Sequence, residues 1–169
     1  MFEPCVLGVD PGVAAVGLAA VRRDRRPTLL WAGTVRTASG LAEAARLRAI
    51  HDAVRDAIAE HGPTSLAVER VAWNKNQVSA LRVARATGVV LLAAAEAGLA
   101  VEEYGPLEVK MAVTGTGTAD KAQVRAALAT LHGLRDVPSQ PDAADAVAVA
   151  LCHLSQTTLR RVARAVGRR

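Results

Sequence analysis

Aromatic side chains are almost missing from this sequence: one Phe, one Tyr and two Trp among 169 residues. A core large enough for a domain of this length must therefore be assembled from Ala, Val and Leu. Lysine is scarce as well. Of 21 basic residues only Lys75, Lys110 and Lys121 are lysines, and the others are arginines. Where a generic positive charge serves, the chain uses Arg, so a retained Lys points to a need for a compact charge. The two cysteines, Cys5 and Cys152, lie in apolar runs and form no Cys-x-x-Cys pair, which fits a reduced, cytoplasmic protein. Glu3 and Pro4 stand where a basic-then-apolar signal would begin. No apolar run approaches the ~20 residues of a membrane span, so no membrane association is expected. The net charge of +5 and a pI near 10.0 favour an anionic partner such as nucleic acid.

The stretch Cys5-Val6-Leu7-Gly8-Val9-Asp10-Pro11-Gly12 reads as a buried strand cut off by a turn, with a carboxylate at its end. Residues 14–22 and 28–36 read as two more strands, joined by the charged loop Arg22-Arg23-Asp24-Arg25-Arg26-Pro27 into an antiparallel meander. Ser39 is a plausible cap for a helix to about His61, with Leu41, Leu47, Ile50, Val54 and Ile58 on its apolar side, ended by Gly62-Pro63. Thr64 to Glu69 is a fourth strand, again ending in a carboxylate, and a parallel neighbour of the first. A helix follows at about 77–97. Its uncharged part, Ala86 to Ala95, needs cover all round, from the core or from a second subunit. Leu99 to Tyr104 is a short fifth strand. A helical turn from Pro106 to Val113, a flexible Thr-Gly-Thr-Gly-Thr loop at 114–118 and a helix from Asp120 to Leu131 come next. The last helix opens at Ser139-Gln140-Pro141 and runs to about Ser155. Residues 1–158 then form one domain, and 159–169 a frayed basic tail with five arginines.

Asp142 and Asp145 stand at i, i+3 on the face of the last helix that continues through Val149 and Cys152, and neither has a basic partner four residues on. Acids suit a helix start through its dipole, and a lone Asp-Pro-Gly can simply open a turn. Asp10, Glu69, Asp142 and Asp145 together suggest more. If the first and fourth strands are neighbours under the last helix, four acids converge, and hard oxygen donors in that number suit Mg²⁺ or Mn²⁺. Two such ions ~4 Å apart clamp the attacking and leaving oxygens of a phosphodiester.

The order of these pieces resembles the RuvC Holliday-junction resolvases of the ribonuclease H-like superfamily over nearly the whole chain. Leu-Gly-Val-Asp-Pro-Gly (7–12), Val-Glu-Arg-Val (68–71), Asn74-Lys75-Asn76, Val109-Lys110, the Gly115-Thr-Gly117 loop with Lys121, and Asp142-Ala-Ala-Asp145 carry the likeness. It implies an α/β fold with a five-stranded mixed sheet, three strands antiparallel and then two parallel, flanked by helices. It implies metal ligands at Asp10, Glu69, Asp142 and Asp145 for two Mg²⁺ per subunit, with Mn²⁺ as substitute. Lys110 and Lys121 become phosphate contacts, Lys121 within the catalytic set, and Asn74, Lys75 and Asn76 part of a DNA-binding loop. It also implies a homodimer that nicks opposed strands of a four-way junction in recombination and repair, fed by a branch-migration complex. The family often places a wedging Phe three residues after the catalytic Glu. Ala72 stands there, so Trp73, by its indole, is the expected base-stacking substitute; packing on a neighbouring helix is its other reading. A related nuclease acting on RNA and a non-catalytic junction-binding protein are the competing readings. The Gly115–Lys121 segment is no P-loop, because Asp120 rather than Gly precedes the lysine.

Overall fold

The computed structural model describes residues 4–71 and 77–166, with side chains through Thr157. Its strands are β1 (Cys5–Asp10), β2 (Ala15–Arg23), β3 (Pro27–Arg36), β4 (Ser65–Glu69) and β5 (Ala100–Tyr104). Its helices are α1 (Glu43–His61), α2 (Gln77–Glu96), α3 (Pro106–Thr114), α4 (Lys121–Thr130) and α5 (Pro141–Val166). The sheet order is β3-β2-β1-β4-β5. β1, β2 and β3 pair antiparallel, whereas β1–β4 and β4–β5 are parallel. This is the mixed sheet expected from the sequence.

Strand alternation divides the core in two. Val6, Ala19, Val21 and Ala67 face α5, behind which lie α3 and α4. Leu7, Val9, Leu18, Leu66 and Val68 face α1 and α2. Two strand glycines let α5 settle low on the sheet. A Cβ on Gly8 would lie 2.2 Å from the Ala146 carbonyl oxygen, and one on Gly17 only 1.8 Å from that of Asp142. Gly inside a strand commonly marks such a close backbone approach.

Several boundaries differ from the sequence reading. α1 starts at Glu43 after Ala42, with no side-chain cap, so Ser39 is not its cap and Leu41 lies exposed in the preceding turn. Its end is as expected, with Gly62 in the left-handed conformation. α5 does not stop at Ser155 but continues across residue 158 to Val166. No Gly or Pro interrupts that stretch before Gly167, so nothing in the backbone chemistry ends the helix earlier.

α2 is not covered all round. Ala80, Ala86, Val90, Ala93 and Ala94 are buried, whereas Val78, Leu81 and Leu92 are exposed at 65%, 51% and 52%. By length and composition α2 could also cross a membrane, contrary to the expectation that no segment approaches that length. Its inner face packs against α1 and the sheet.

Candidate active site

Asp10 and Glu69 end the adjacent parallel strands β1 and β4. Val9 pairs with Val68, so the two carboxylates follow one residue later, side by side. Alternation puts both on the α5 face, because the preceding Val9 and Val68 belong to the opposite core. Asp142 and Asp145 lie in the first turns of α5. The helix start is fixed above Asp10 by Gly17, which is the cross-strand partner of Asp10 and sits under the Asp142 carbonyl.

The electrostatics follow from this gathering. Burial pushes the Asp10 carboxyl up to about 7, with the charges of Glu69, Asp145 and Asp142 adding to the rise and Lys121 opposing it. Burial also raises Glu69, helped by Asp145 and countered by Lys121 and Lys110. Lys121 is the first residue of α4, behind an Asp120–Gln123 capping box. Its Nζ donates to Asp145 Oδ2 at 2.7 Å, and this bond to a carboxylate raises its own pKa.

Two small cavities meet at Glu69. One, of about 240 Å³, is lined by Asp10, Glu69, Arg70, Ser79 and apolar side chains including Pro11 and Val83. The other, of about 80 Å³, is lined by Glu69, Lys110, Lys121 and Asp145, with Pro106 and Val109 behind them. The six expected residues Asp10, Glu69, Lys110, Lys121, Asp142 and Asp145 thus come together at one end of the sheet. Trp73, Asn74, Lys75 and Asn76 lie outside the described residues. Sequence reading missed Gly17, whose signal was a glycine inside an apolar strand, and Arg70, which reaches over to donate to the Glu103 carbonyl at 3.2 Å.

The donor set suits a hard divalent cation in kind, since it consists of carboxylate oxygens whose mutual repulsion a cation relieves. Among the described residues no three acid, imidazole or thiol side chains close into a finished metal cage. Asp145 instead holds the Lys121 ammonium.

A family model described as crossover junction endodeoxyribonuclease RuvC matches residues 6–153. The chain belongs to the RuvC family. Its crossover junction endodeoxyribonuclease relative from Pelotomaculum thermopropionicum is 44% identical over 157 residues, covering 92% of this chain and 96% of the relative. The one from Mycobacterium tuberculosis is 45% identical over 166 residues, 96% of this chain and 88% of the relative. The structure of Thermus thermophilus RuvC in complex with Holliday junction substrate superposes with a TM-score of 0.86 at 34% identity, over 92% of this chain and 96% of the other. The yeast mitochondrial resolvase Ydc2 shares the fold, with a TM-score of 0.68 at 12% identity.

Proposed function

We propose that this chain resolves four-way DNA junctions as a homodimeric, divalent-metal-dependent endodeoxyribonuclease, each subunit nicking one of two opposed strands. The observation that carries this reading is the meeting of Asp10, Glu69, Asp142 and Asp145, on three separate elements, within a chain similar over almost its full length to a junction-bound RuvC. Asp10, Glu69, Asp142 and Asp145 would hold two Mg²⁺, or Mn²⁺, and the ions would neutralise charge on the attacking and leaving oxygens of the phosphodiester. Asp10 must give up its proton to serve, and a bound cation favours that loss by offsetting the burial and the neighbouring carboxylates that raise its pKa in the metal-free chain. Water attacks phosphorus in line, the bond from phosphorus to the 3′ oxygen breaks, and the products are a 5′-phosphate and a 3′-hydroxyl. Lys121 and Lys110 line the small cavity at Glu69, and the Lys121 ammonium, with three donors, can hold Asp145 and a phosphate oxygen at once. The setting is cytoplasmic DNA recombination and repair, with a branch-migration complex as the delivering partner.

Cleavage of a synthetic four-way junction with Mg²⁺, against linear duplex and RNA–DNA hybrid, tests this. Selective paired nicking of the junction is expected. Preference for the hybrid would favour an RNA-directed nuclease, and binding without cleavage a non-catalytic protein. Within this reading Lys121→Ala lowers the single-turnover rate by about 10²-fold or more, as losing a preorganised charge at a reacting group does. Binding at low salt changes little. Loss of affinity with an unchanged rate would make Lys121 a backbone anchor only.

The exposed side of α2 supports the homodimer. Val78, Leu81, Arg85, Gly88, Leu92 and Ala95 repeat at three- and four-residue steps along one exposed stripe. Gly88 has nothing within 4 Å of a built Cβ, although mid-helix Gly costs about 1 kcal/mol relative to Ala, which a closely approaching partner helix would explain. Leu81→Glu with Leu92→Glu is expected to give a folded monomer by sedimentation that nicks singly rather than in pairs. A dimer that survives both changes would move the interface elsewhere.

A further inference from the structure

The end of the sheet opposite the carboxylates carries a second basic feature. Cys5 pairs with Arg22 at one end of the β1–β2 ladder, and Asp10 with Gly17 at the other. The β2–β3 connection, Asp24-Arg25-Arg26, projects beyond the far end. It meets the segment that follows α4, where Gly133 and Asp136 both adopt left-handed backbone. Arg26 Nη1 lies 3.7 Å from the Cβ position of Gly133, so chain segments more than 100 residues apart in sequence come together. Between them is a cavity of about 380 Å³ whose lining includes Arg26, Thr28, Gly133, Arg135 and Asp136.

The cations here differ in how far they are committed. Arg22 is paired with Asp24 at 3.1 Å, and Asp24 also accepts from Thr28. Arg23 is spent on α5, donating to the Leu154 carbonyl and the Thr157 hydroxyl. Arg25, Arg26 and Arg135 are exposed and have no ion-pair or hydrogen-bond partner among the described residues. Asp136 is the only acid in the cavity lining. Two uncommitted guanidinium groups, Arg26 and Arg135, line the concavity with Asp136, and exposed Arg25 stands next to Arg26 in the hairpin, so the surface carries net positive charge and suits an anion. The planar fork matches a phosphodiester better than an ammonium does.

We infer that this cleft holds the phosphate backbone of a duplex arm of the same junction whose crossover lies at the carboxylates. This rests on the reading of the chain as a junction nuclease. The span supports it. Six residues of β1 plus the projecting hairpin place the cleft roughly 20 Å from Asp10, at about 3.3 Å per strand residue. At 3.4 Å per base pair that is about six base pairs along an arm. The contact grips the arm without touching the scissile phosphate, so it adds affinity and orientation rather than rate.

The test compares the wild type with the triple variant R25Q/R26Q/R135Q on a junction with arms of twenty base pairs. Each phosphate contact contributes about −0.9 to the slope of log affinity against log salt. The triple variant should flatten that slope by roughly 2–3. It should lose hydroxyl-radical protection about six base pairs from the crossover, and keep the wild-type single-turnover rate once bound. The matching Arg→Lys triple variant should recover most of the slope, which separates lost charge from lost folding. An unchanged slope and footprint overturns the inference and leaves the cleft to another anionic partner, such as an acidic protein surface. Protection lost at the crossover itself overturns it too. Junction cleavage by the wild type is scored separately, so the arm contact can fail while the nuclease reading stands.

Discussion

Asp10→Asn abolishes junction cleavage while junction binding stays intact or tightens. The substitution keeps the size of the side chain and removes its charge, so it deletes one oxygen ligand and also one repulsion toward DNA. A loss of 10⁴-fold or more in single-turnover rate is expected at saturating Mg²⁺, because catalysis by clamped ions has no substitute in this site. A second measurement is independent of activity. The folded pKa of Asp10 is about 7, above the usual 3.8. Between those values the folded chain keeps a proton that the unfolded chain has lost, so this group's contribution is full below about pH 4 and is lost as pH rises through 7. The total at stake is on the order of 4 kcal/mol. In EDTA the wild type should therefore lose melting temperature from pH 5 to pH 8 more steeply than Asp10→Asn. Mg²⁺ should restore the wild type at pH 8 and leave the variant unmoved. Full activity in the variant would falsify the assignment, and identical melting profiles would mean that folding does not raise the Asp10 pKa.

Gly17→Ala is the second large effect, and it arises from one methyl group. The added Cβ falls 1.8 Å from the Asp142 carbonyl oxygen and 2.3 Å from its carbon. Those atoms are backbone and have no rotamer to retreat into, so the start of α5 must rise by about 1 Å or more to restore van der Waals contact. Asp142 and Asp145 rise with it. Misplacing a reacting constellation by 1 Å costs about 10²-fold in rate, and overpacking costs a further ~1–3 kcal/mol of stability. The discriminating measurement is Mg²⁺ affinity followed by melting temperature. It should weaken in Gly17→Ala beyond what the general destabilisation produces. Gly40→Ala, a position with nothing within 4 Å, serves as control. A destabilised enzyme with normal metal affinity and normal rate would reduce Gly17 to a packing residue.

The sheet and the site acids were readable because their signals are local. Val6, Leu7 and Val9 ahead of Asp10-Pro11-Gly12 announce a strand and its end, and Glu69 repeats the pattern. The start of α1 was misplaced because Ser39 looks like a cap, yet Glu43 begins the helix with no side chain closing it. Local capping preference lost there to the path of the chain out of β3. The two-sided character of α2 was hidden for another reason. Apart from Arg85 its exposed stripe is as apolar as its buried one, so composition alone says little about which one meets the sheet. Lys121 on Asp145 was beyond reach as well, because α4 and α5 meet only through tertiary packing. The role of Gly17 was legible in principle, but only with the height of α5 in view.

The near absence of aromatics has a consequence for how this protein tolerates change. The first half of α5 carries buried residues on every side, Ala143, Ala144, Ala146, Val147, Ala148, Val149 and Ala150 included, between α3 and α4 and strands that offer Gly8 and Gly17. At its alanine positions such a core has little to lose by truncation, since an alanine has no bulk left to remove. Growth is what it cannot absorb. A deep mutational scan of α5 and β1–β2 should therefore be severe wherever Gly or Ala gains a methyl group, in addition to the usual cavity cost where a buried Val or Leu is truncated. This added vulnerability to growth runs through the same contacts that hold the acids in place.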